Sequence, residues 1–430
     1  MERTMKDSYI EWVGKIPENW LIEKNKHFFS CEKEIVGEAS SSTELLSLTT
    51  KGVRKKLPTD VGGKVPESYD TYQIVRENDL IMCLFDLDCS AVFSGISRFE
   101  GMISPAYKIL KCKEGIVPEF ADFWFSYVFD GRKFKHYAKS LRYTLNYDEF
   151  GTLPLIVPPI EEQKRIVQFL KKECERIDTV IDKTRESIEE YRNLKNSIIT
   201  QAVTKGIDDD IQFVDSGIEW AGDIPKHWIV TKINRIGSTS SGSTPLRAKD
   251  SDYFDDATIR WVRTLDLNDW LVSDSSEKIT ELALKNSSCN IMPANTVMVA
   301  MYGGAGTIGK CGMLTQPCAT NQAVCSIVCD ENKIIPKYLL FQLLALKKYW
   351  MLYAVGTRKD PNISQDIVGQ MRIVVPPMME QKQIVDFLEK KYVETDKLIE
   401  KKEYSLSQLE QYRKAIIYEY ITGKKEVPHS

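Results

Sequence analysis

From residue 157 to 204, apolar side chains recur every three to four positions: Ile166, Leu170, Ile177, Val180, Ile181, Ile188, Tyr191, Leu194, Ile198 and Ala202. Lys, Glu, Asp and Arg fill most other positions. The pattern returns from 375 to 422 with Ile384, Leu388, Tyr392, Leu398, Ile399, Leu406, Leu409, Tyr412, Ile416 and Tyr420. This period is that of one helix face. Pro158-Pro159 and Pro376-Pro377 precede the two runs, where a missing N–H costs nothing. Glu161-Glu162 and Glu380 then favour a first helical turn. Gly206 and Gly423 stand where C-terminal caps belong. Each helix would be about 65–70 Å long if straight, at 1.5 Å per residue. The narrow stripe predicts a coiled coil. Its seam is expected to hold Ile166, Leu170, Ile177, Ile181, Ile188 and Ile198 from one helix. Ile384, Leu388, Leu398, Ile399, Leu406 and Ile416 are expected from the other. The pairing is antiparallel if a pseudo-twofold relates the halves; the alternative is two amphipathic helices, each lying on its own domain.

The two runs also share text. "VPPIEEQKRIVQFL" (157–170) returns as "VPPMMEQKQIVDFL" (375–388), and "YIEWVGKIPENW" (9–20) as "GIEWAGDIPKHW" (217–228). The chain is therefore one unit written twice: an opening motif, a domain and a long helix. Between the repeats the pattern shortens. "TYQIVRENDLIMCLF", "ISPAYKILKC", "NTVMVAMYGG" and "NQAVCSIVC" predict short strands. "PEFADFWFSYVFDGRKFKHYA" and "PKYLLFQLLALKKYWMLYA" predict helices. The fold class is mixed α/β (α+β). The expected division is a first domain at 1–156, a long helix at 157–206 and a linker at 207–216. A second domain follows at 217–374, then a long helix at 375–424 and a tail at 425–430.

Composition narrows the partners. The 430 residues are 43% hydrophobic and 28% charged, with net charge −3. No global basic excess announces nucleic acid, so a binding surface would be a local patch. The start is too polar for a signal peptide and no run is long enough to span a membrane. Ten cysteines lack secreted-style spacing, which fits a reducing cytosol. Cys289, Cys311, Cys318, Cys325 and Cys329 contain no C-x-x-C pair and are expected as small buried hydrophobes. The four histidines form no metal-spaced set.

The paired long-helix texts, their "TKG" and "TGK" ends and the duplicated "IEW-x-G-x-IP-x-x-W" motifs resemble the specificity subunit of type I restriction-modification systems. "SGSTP" (241–245), "GMISPAYKI" (101–109) and "ATNQAV" (319–324) resemble it inside the domains. The resemblance spans essentially the whole chain. It implies two target-recognition domains, each reading half of a split DNA sequence, and an antiparallel coiled coil that sets the gap. It implies no catalysis and no cofactor in this chain; S-adenosylmethionine, ATP and Mg would serve partners. Those partners would be double-stranded DNA, two adenine-N6 methyltransferase subunits and restriction subunits, in the cytoplasm. It implies no metal and no membrane.

Two enzyme readings fit the residues less well. "GAGTIGKC" (304–311) nearly fits the phosphate loop, but Cys311 stands where a hydroxyl belongs and "GMLTQPC" does not start a helix. A glycine-rich hairpin fits better. No [DNS]-P-P-[YF] methyltransferase tetrapeptide occurs. A third reading is a coiled-coil scaffold joining two protein-binding domains without a DNA role.

Phosphate contacts favour Lys, Arg and small hydroxyls; base edges favour Arg, Asn and Gln. Candidates in the first domain are Lys51, Arg54, Lys55 and Lys56, a basic loop or a solvated charge run. Ser104 and Tyr107 follow from the family's "SPAY" position, and Arg142, Tyr143 and Asn146 lie in a polar loop. Candidates in the second are Ser243, Thr244, Arg247, Lys249, Tyr302 and Lys310. Asn321 and Gln322, then Arg358 and Lys359, complete the set. Asn321-Gln322 suits bidentate reading of adenine, or serves a turn.

Overall fold

The computed structural model describes residues 3–50, 52–57, 66–87, 92–133, 144–208, 211–303, 306–356 and 361–428. It is mixed α/β, built on two long helices, Ile160–Lys205 and Met378–Ile421. Two compact units emerge, and their boundaries cut through both long helices. Unit one combines residues 1–185 with 404–430; unit two is residues 186–403. Each unit therefore holds one of the two domains and a portion of both long helices.

In unit one, Met5–Asp7 pairs with Lys15–Pro17 to form the opening hairpin. Strand Leu21–Lys24 pairs antiparallel with Pro154–Val157, which feeds the first long helix through Pro158-Pro159. A four-stranded antiparallel sheet runs Phe29–Cys31, Lys108–Cys112, Leu80–Met82, Ser94–Ile96. Helix Pro118–Asp130 covers it, burying Phe120, Trp124, Phe125 and Phe129. Pro118 takes the first helical position, as the sequence pattern leads one to expect.

Unit two repeats the plan. Phe213–Asp215 pairs with Asp223–Pro225, so the segment expected as a linker already carries the first strand of this opening hairpin. Ile229–Lys232 pairs with Arg372–Val375, the strand that leads into the second long helix. The main sheet has five strands in the order Gly237–Ser241, Val324–Cys329, Val297–Ala300, Cys311–Leu314, Leu271–Val272. Helix Pro336–Leu346 packs on it with Tyr338, Leu339, Phe341 and Leu343 fully buried. A smaller sheet runs Lys278–Ile279, Ile259–Val262, Cys318–Thr320, Ile291–Met292.

The repeated text has a structural reason in each unit. Trp20 Nε1 donates to Glu162 Oε2 at 3.0 Å, and Trp228 Nε1 donates to Glu380 Oε2 at 2.8 Å. The opening motif is thereby fastened to the start of the long helix. Gln163 is fully buried; its Oε1 accepts from the Val117 N–H (2.8 Å), and its Nε2 donates to the Gly115 and Pro158 carbonyls. Gln381 does the same with the Ile335 N–H (2.8 Å) and the Lys333 and Pro376 carbonyls. One amide thus satisfies backbone groups at the entrance of the covering helix, groups that would be costly to bury unpaired. The glutamate-glutamine pair is the joint between domain and scaffold.

In unit one the helices run antiparallel: Asp178 takes a two-pronged bond from Arg413 (2.7 and 3.2 Å), and Arg185 meets Glu410 at 2.7 Å. The seam holds Ile166, Leu170, Ile177 and Ile181 against Ile416, Ile417 and Tyr420, with Leu406 and Leu409 half-buried. Unit two shows the same sense through Arg192–Glu403 (2.8 Å) and Lys195–Asp396. Its seam holds Ile384, Leu388, Tyr392 and Ile399; Ile188 is buried and Ile198 half-buried. Leu398 corrects the expected seam: it is 42% exposed. The buried positions step 388, 392, 395, 399, and Leu398 sits one residue, about 100°, away from Ile399. Val180 is exposed for the same reason, beside buried Ile181; Leu194 and Tyr412 are exposed as well.

Candidate nucleic-acid interface

Unit two gathers its candidates at one end of the five-stranded sheet. Strand Gly237–Ser241 ends beside Cys325, and Ala300 lies opposite Val324. The segments that leave these ends are "SGSTP" and "TNQA". Gly242 N–H donates to the Asn321 carbonyl (3.2 Å) and Ser243 N–H to that of Thr320 (3.1 Å). A Cβ on Gly242 would fall 1.7 Å from the Thr320 oxygen, so only glycine permits the approach. Thr244 Oγ1 then donates to Gln322 Oε1. Ser243, Thr244, Asn321 and Gln322 are therefore one cluster.

Asn321 makes a turn contact: its Oδ1 accepts from the Ala323 N–H at 3.1 Å. Gln322 stays exposed. Ser243 is tied inward, its carbonyl accepting from Trp261 Nε1 (3.1 Å) and Cys289 Sγ (3.0 Å).

Arg247 lies over the Phe254 ring at 4.1 Å and pairs with Glu277. Lys249 closes the same short turn, and its side chain lies outside the described residues. Met301 N–H bonds the Ala323 carbonyl, which brings exposed Tyr302 to the same end of the sheet. Tyr302 also bridges to Asn362. Lys310 sits on the turn into Cys311–Leu314, its carbonyl accepting from Ala300 N–H at 2.8 Å. That segment is a strand paired antiparallel with Val297–Ala300, so the near phosphate-loop is a hairpin and offers no helix N-terminus. Arg358 and Lys359 lie outside the described residues.

Three residues of this surface were not predicted. Arg263 pairs with Glu277 at 2.7 Å and reaches Ser276 Oγ at 2.9 Å; Arg260 pairs with Asp274 at 3.1 Å. Glu277 therefore holds two arginines, Arg247 and Arg263. The legible signal was "RWVR", two arginines flanking the buried Trp261.

Unit one presents a smaller surface. "KGVRKK" was expected as a basic loop, but Gly52–Lys55 is a strand paired with Leu46–Thr49. Val53, Leu46 and Leu48 are buried together, and this alternation makes a hairpin from an otherwise charged run. Arg54 and Lys55 point outward; Lys55 pairs with Glu44 at 3.1 Å, and Lys56 is half-buried. Ser104 to Tyr107 forms a turn pinned by buried Gln73, whose Nε2 donates to both carbonyls (3.3 and 3.0 Å). Burial raises the Tyr107 phenol above its ordinary pKa, and its ring lies 5.8 Å from Phe85. Both features share one small core with the hairpin. Asn146 does not join them. It caps helix Tyr147–Thr152, accepting from the Glu149 N–H at 2.8 Å while Glu149 accepts from its own N–H. Lys51, Arg142 and Tyr143 lie outside the described residues.

The cysteines of 289–329 are split among separate cores: Cys311 and Cys325 in the largest, Cys318 in a second, Cys289 in a third. Among the described residues, no group of three His, Cys, Asp or Glu side chains could hold a metal ion. No described helix is long and apolar enough to cross a membrane.

This geometry can be compared with known proteins. Residues 225–408 match the family described as the type I restriction modification DNA specificity domain. That stretch is a type I restriction modification DNA specificity domain. The specificity subunit of the type I restriction enzyme MjaVIII of Methanocaldococcus jannaschii is 24% identical over 99% of this chain and 98% of its own length. The EcoR124I/EcoR124II specificity subunit of Escherichia coli is 25% identical over 42% of each chain. A chain solved in work on complex assembly and conformational transition of the type I R-M system aligns with TM-score 0.70 and 14% identity. That alignment covers 95% of this chain and 99% of the other, and it establishes the shared fold. Residues 225–408 thus carry a DNA specificity domain, and relatives matched along the chain are named as specificity subunits.

Proposed function

We propose that this chain is a type I specificity subunit that reads a bipartite DNA target. Unit one's hairpin surface and unit two's sheet-end surface each take one half-site, and the paired long helices set the gap. The carrying observation is the contrast between copies. The joints are the same in both units, Trp20–Glu162 and Trp228–Glu380, Gln163 and Gln381. The outward surfaces differ: a basic hairpin with Arg54 and Lys55 in one, Thr244, Gln322 and an arginine pair on Glu277 in the other. An invariant frame with two unlike surfaces is what reading two different sequences requires.

In this reading Lys55, Lys310 and the hydroxyls position the backbone. Gln322 and the arginines reach base edges, where an amide pairs with adenine and a guanidinium with guanine. Two methyltransferase subunits join the chain and methylate one adenine on each strand after flipping it from the stack. Restriction subunits complete the assembly in the cytoplasm. S-adenosylmethionine, ATP and Mg belong to those partners.

The test is methylome sequencing of a host without adenine methylation that expresses this chain with a cognate methyltransferase subunit. Two short half-sites around a fixed gap, methylated once per strand, are expected. Methylation at a continuous site, or none from an assembled complex, would overturn the bipartite reading.

A further inference from the structure

The two units differ at one place where their plans otherwise coincide. In unit one, Tyr418 of the second long helix packs on Tyr127 of the covering helix, ring centroids 5.3 Å apart. Tyr127 also lies 5.9 Å from Trp12 and donates its hydroxyl to the Trp12 carbonyl at 3.1 Å. An aromatic plug thus fills the angle between helix and domain. The corresponding residues of unit two are Thr200 and Ala345, and both line an open cleft of about 1060 Å³.

The cleft is built from three directions. One wall is an uncharged polar row on the first long helix: Asn193, Asn196, Ser197, Thr200 and Gln201. The opposite wall is Lys347 and Lys348, at the end of the covering helix. The floor is Tyr392, whose ring stacks on Trp270 with centroids 3.9 Å apart. Lys195 lies over that ring at 3.2 Å and pairs with Asp396. Lys347 pairs with Asp269, and Tyr392 donates its hydroxyl to the Asp269 carbonyl at 3.2 Å. Five cationic side chains line the cleft; Arg192, Lys195 and Lys347 are paired with Glu403, Asp396 and Asp269, so the surplus of positive charge lies with Lys205 and Lys348.

We infer that this cleft receives an acidic polypeptide segment of a methyltransferase partner, one segment per chain. The inference rests on the proposed partnership and adds where and by what chemistry it is made. An extended or helical segment would lay carboxylates towards Lys348 and Lys205, and its backbone towards the amides and hydroxyls of the polar row. The volume suits a short stretch of chain. A DNA duplex, stiff and roughly 20 Å across, would meet the rim and leave the interior open.

Unit one supplies the test. Thr200→Tyr with Ala345→Tyr rebuilds its aromatic plug in unit two and closes the cleft. The full-length double variant is measured for melting temperature, DNA affinity and affinity for the purified methyltransferase subunit. Unchanged DNA binding with partner affinity weaker by about tenfold or more is expected, the loss typical of blocking an interface centre. Lys348→Glu, a smaller change, is expected to weaken assembly by a few-fold and to flatten its dependence on salt, because a rim charge acts through steering. A folded, plugged variant with full partner affinity would overturn the proposal, as would loss of DNA affinity in place of partner affinity. Should the plugged variant fail to fold, full assembly by Lys348→Glu at low salt overturns it. If the wild-type chain itself does not assemble with the methyltransferase, the partnership reading fails, and that result is distinct from the others.

Discussion

Gln163 and Gln381 carry the same three bonds in two different settings. Each side chain is fully buried and joins the last strand, the covering helix and the long helix of its unit. Replacing Gln163 with Leu keeps the volume and strands one N–H and two carbonyls. A loss of about 2–4 kcal/mol is expected at either position, at 1–3 kcal/mol per buried unsatisfied group less relaxation. Chemical denaturation of Gln163→Leu and Gln381→Leu, each against wild type, checks it; near-equal losses would show that the two joints are equivalent. A second residue sets a pH dependence. Burial pushes the Asp122 carboxyl up from 3.8 to about 6, although Ser94 Oγ donates to it at 2.8 Å. The folded chain therefore holds that proton more tightly than the unfolded chain. Its contribution to stability is greatest below about pH 4 and is lost as pH rises through about 6. Asp122→Asn keeps the acceptor for Ser94 and removes the charge. A gain on the order of 1–2 kcal/mol is expected at pH 8 and almost none at pH 4, after discounting the full linkage for water access. Melting temperatures at the two pH values decide it.

At the scale of elements, the long helices were legible because one period runs unbroken for dozens of residues between two prolines and a glycine. The period does not fix the seam to the residue. Leu398 and Ile399 are adjacent and equally apolar, and only packing shows that Ile399 faces inward while Leu398 meets water. Ile399→Ala is expected to cost about 2–3 kcal/mol, and Leu398→Ala less than about 0.5 kcal/mol. Equal costs would mean the helices sit in another register. The hairpin at 46–55 shows the opposite limit. Its charges hid a two-residue alternation too short to stand out. The candidate site was half legible. "SGSTP" and "TNQA" were visible as motifs, but their contact depends on a sheet end that brings together residues about 80 positions apart. Glu277 was invisible because its meaning lies in the two arginines that fold against it.

At the scale of the whole molecule, the proposed reading assigns specificity and spacing to different parts, so they are expected to vary independently. Exchanging residues 20–156 for another first domain is expected to change one half-site and leave the other half-site and the gap alone. Inserting four residues, close to one helical turn of 3.6, in a long helix is expected to change the gap and neither half-site. Both outcomes are read from the methylation motif. The electrostatic share of binding is separable as well. Each phosphate neutralised by a lysine releases counterions, so affinity falls with salt by a slope of about 0.9 per contact. Lys310, on the hairpin turn at the sheet end, is a phosphate contact in the proposed reading. Lys310→Ala is then expected to weaken binding to all sequences alike and to lower the salt slope by about 1. Gln322→Ala is expected to behave differently: little change in slope, about 1–3 kcal/mol lost on the cognate half-site and relaxed choice at one base. If Lys310→Ala altered the motif while Gln322→Ala altered only the slope, the assignment of positioning and reading roles along this sheet end would be reversed.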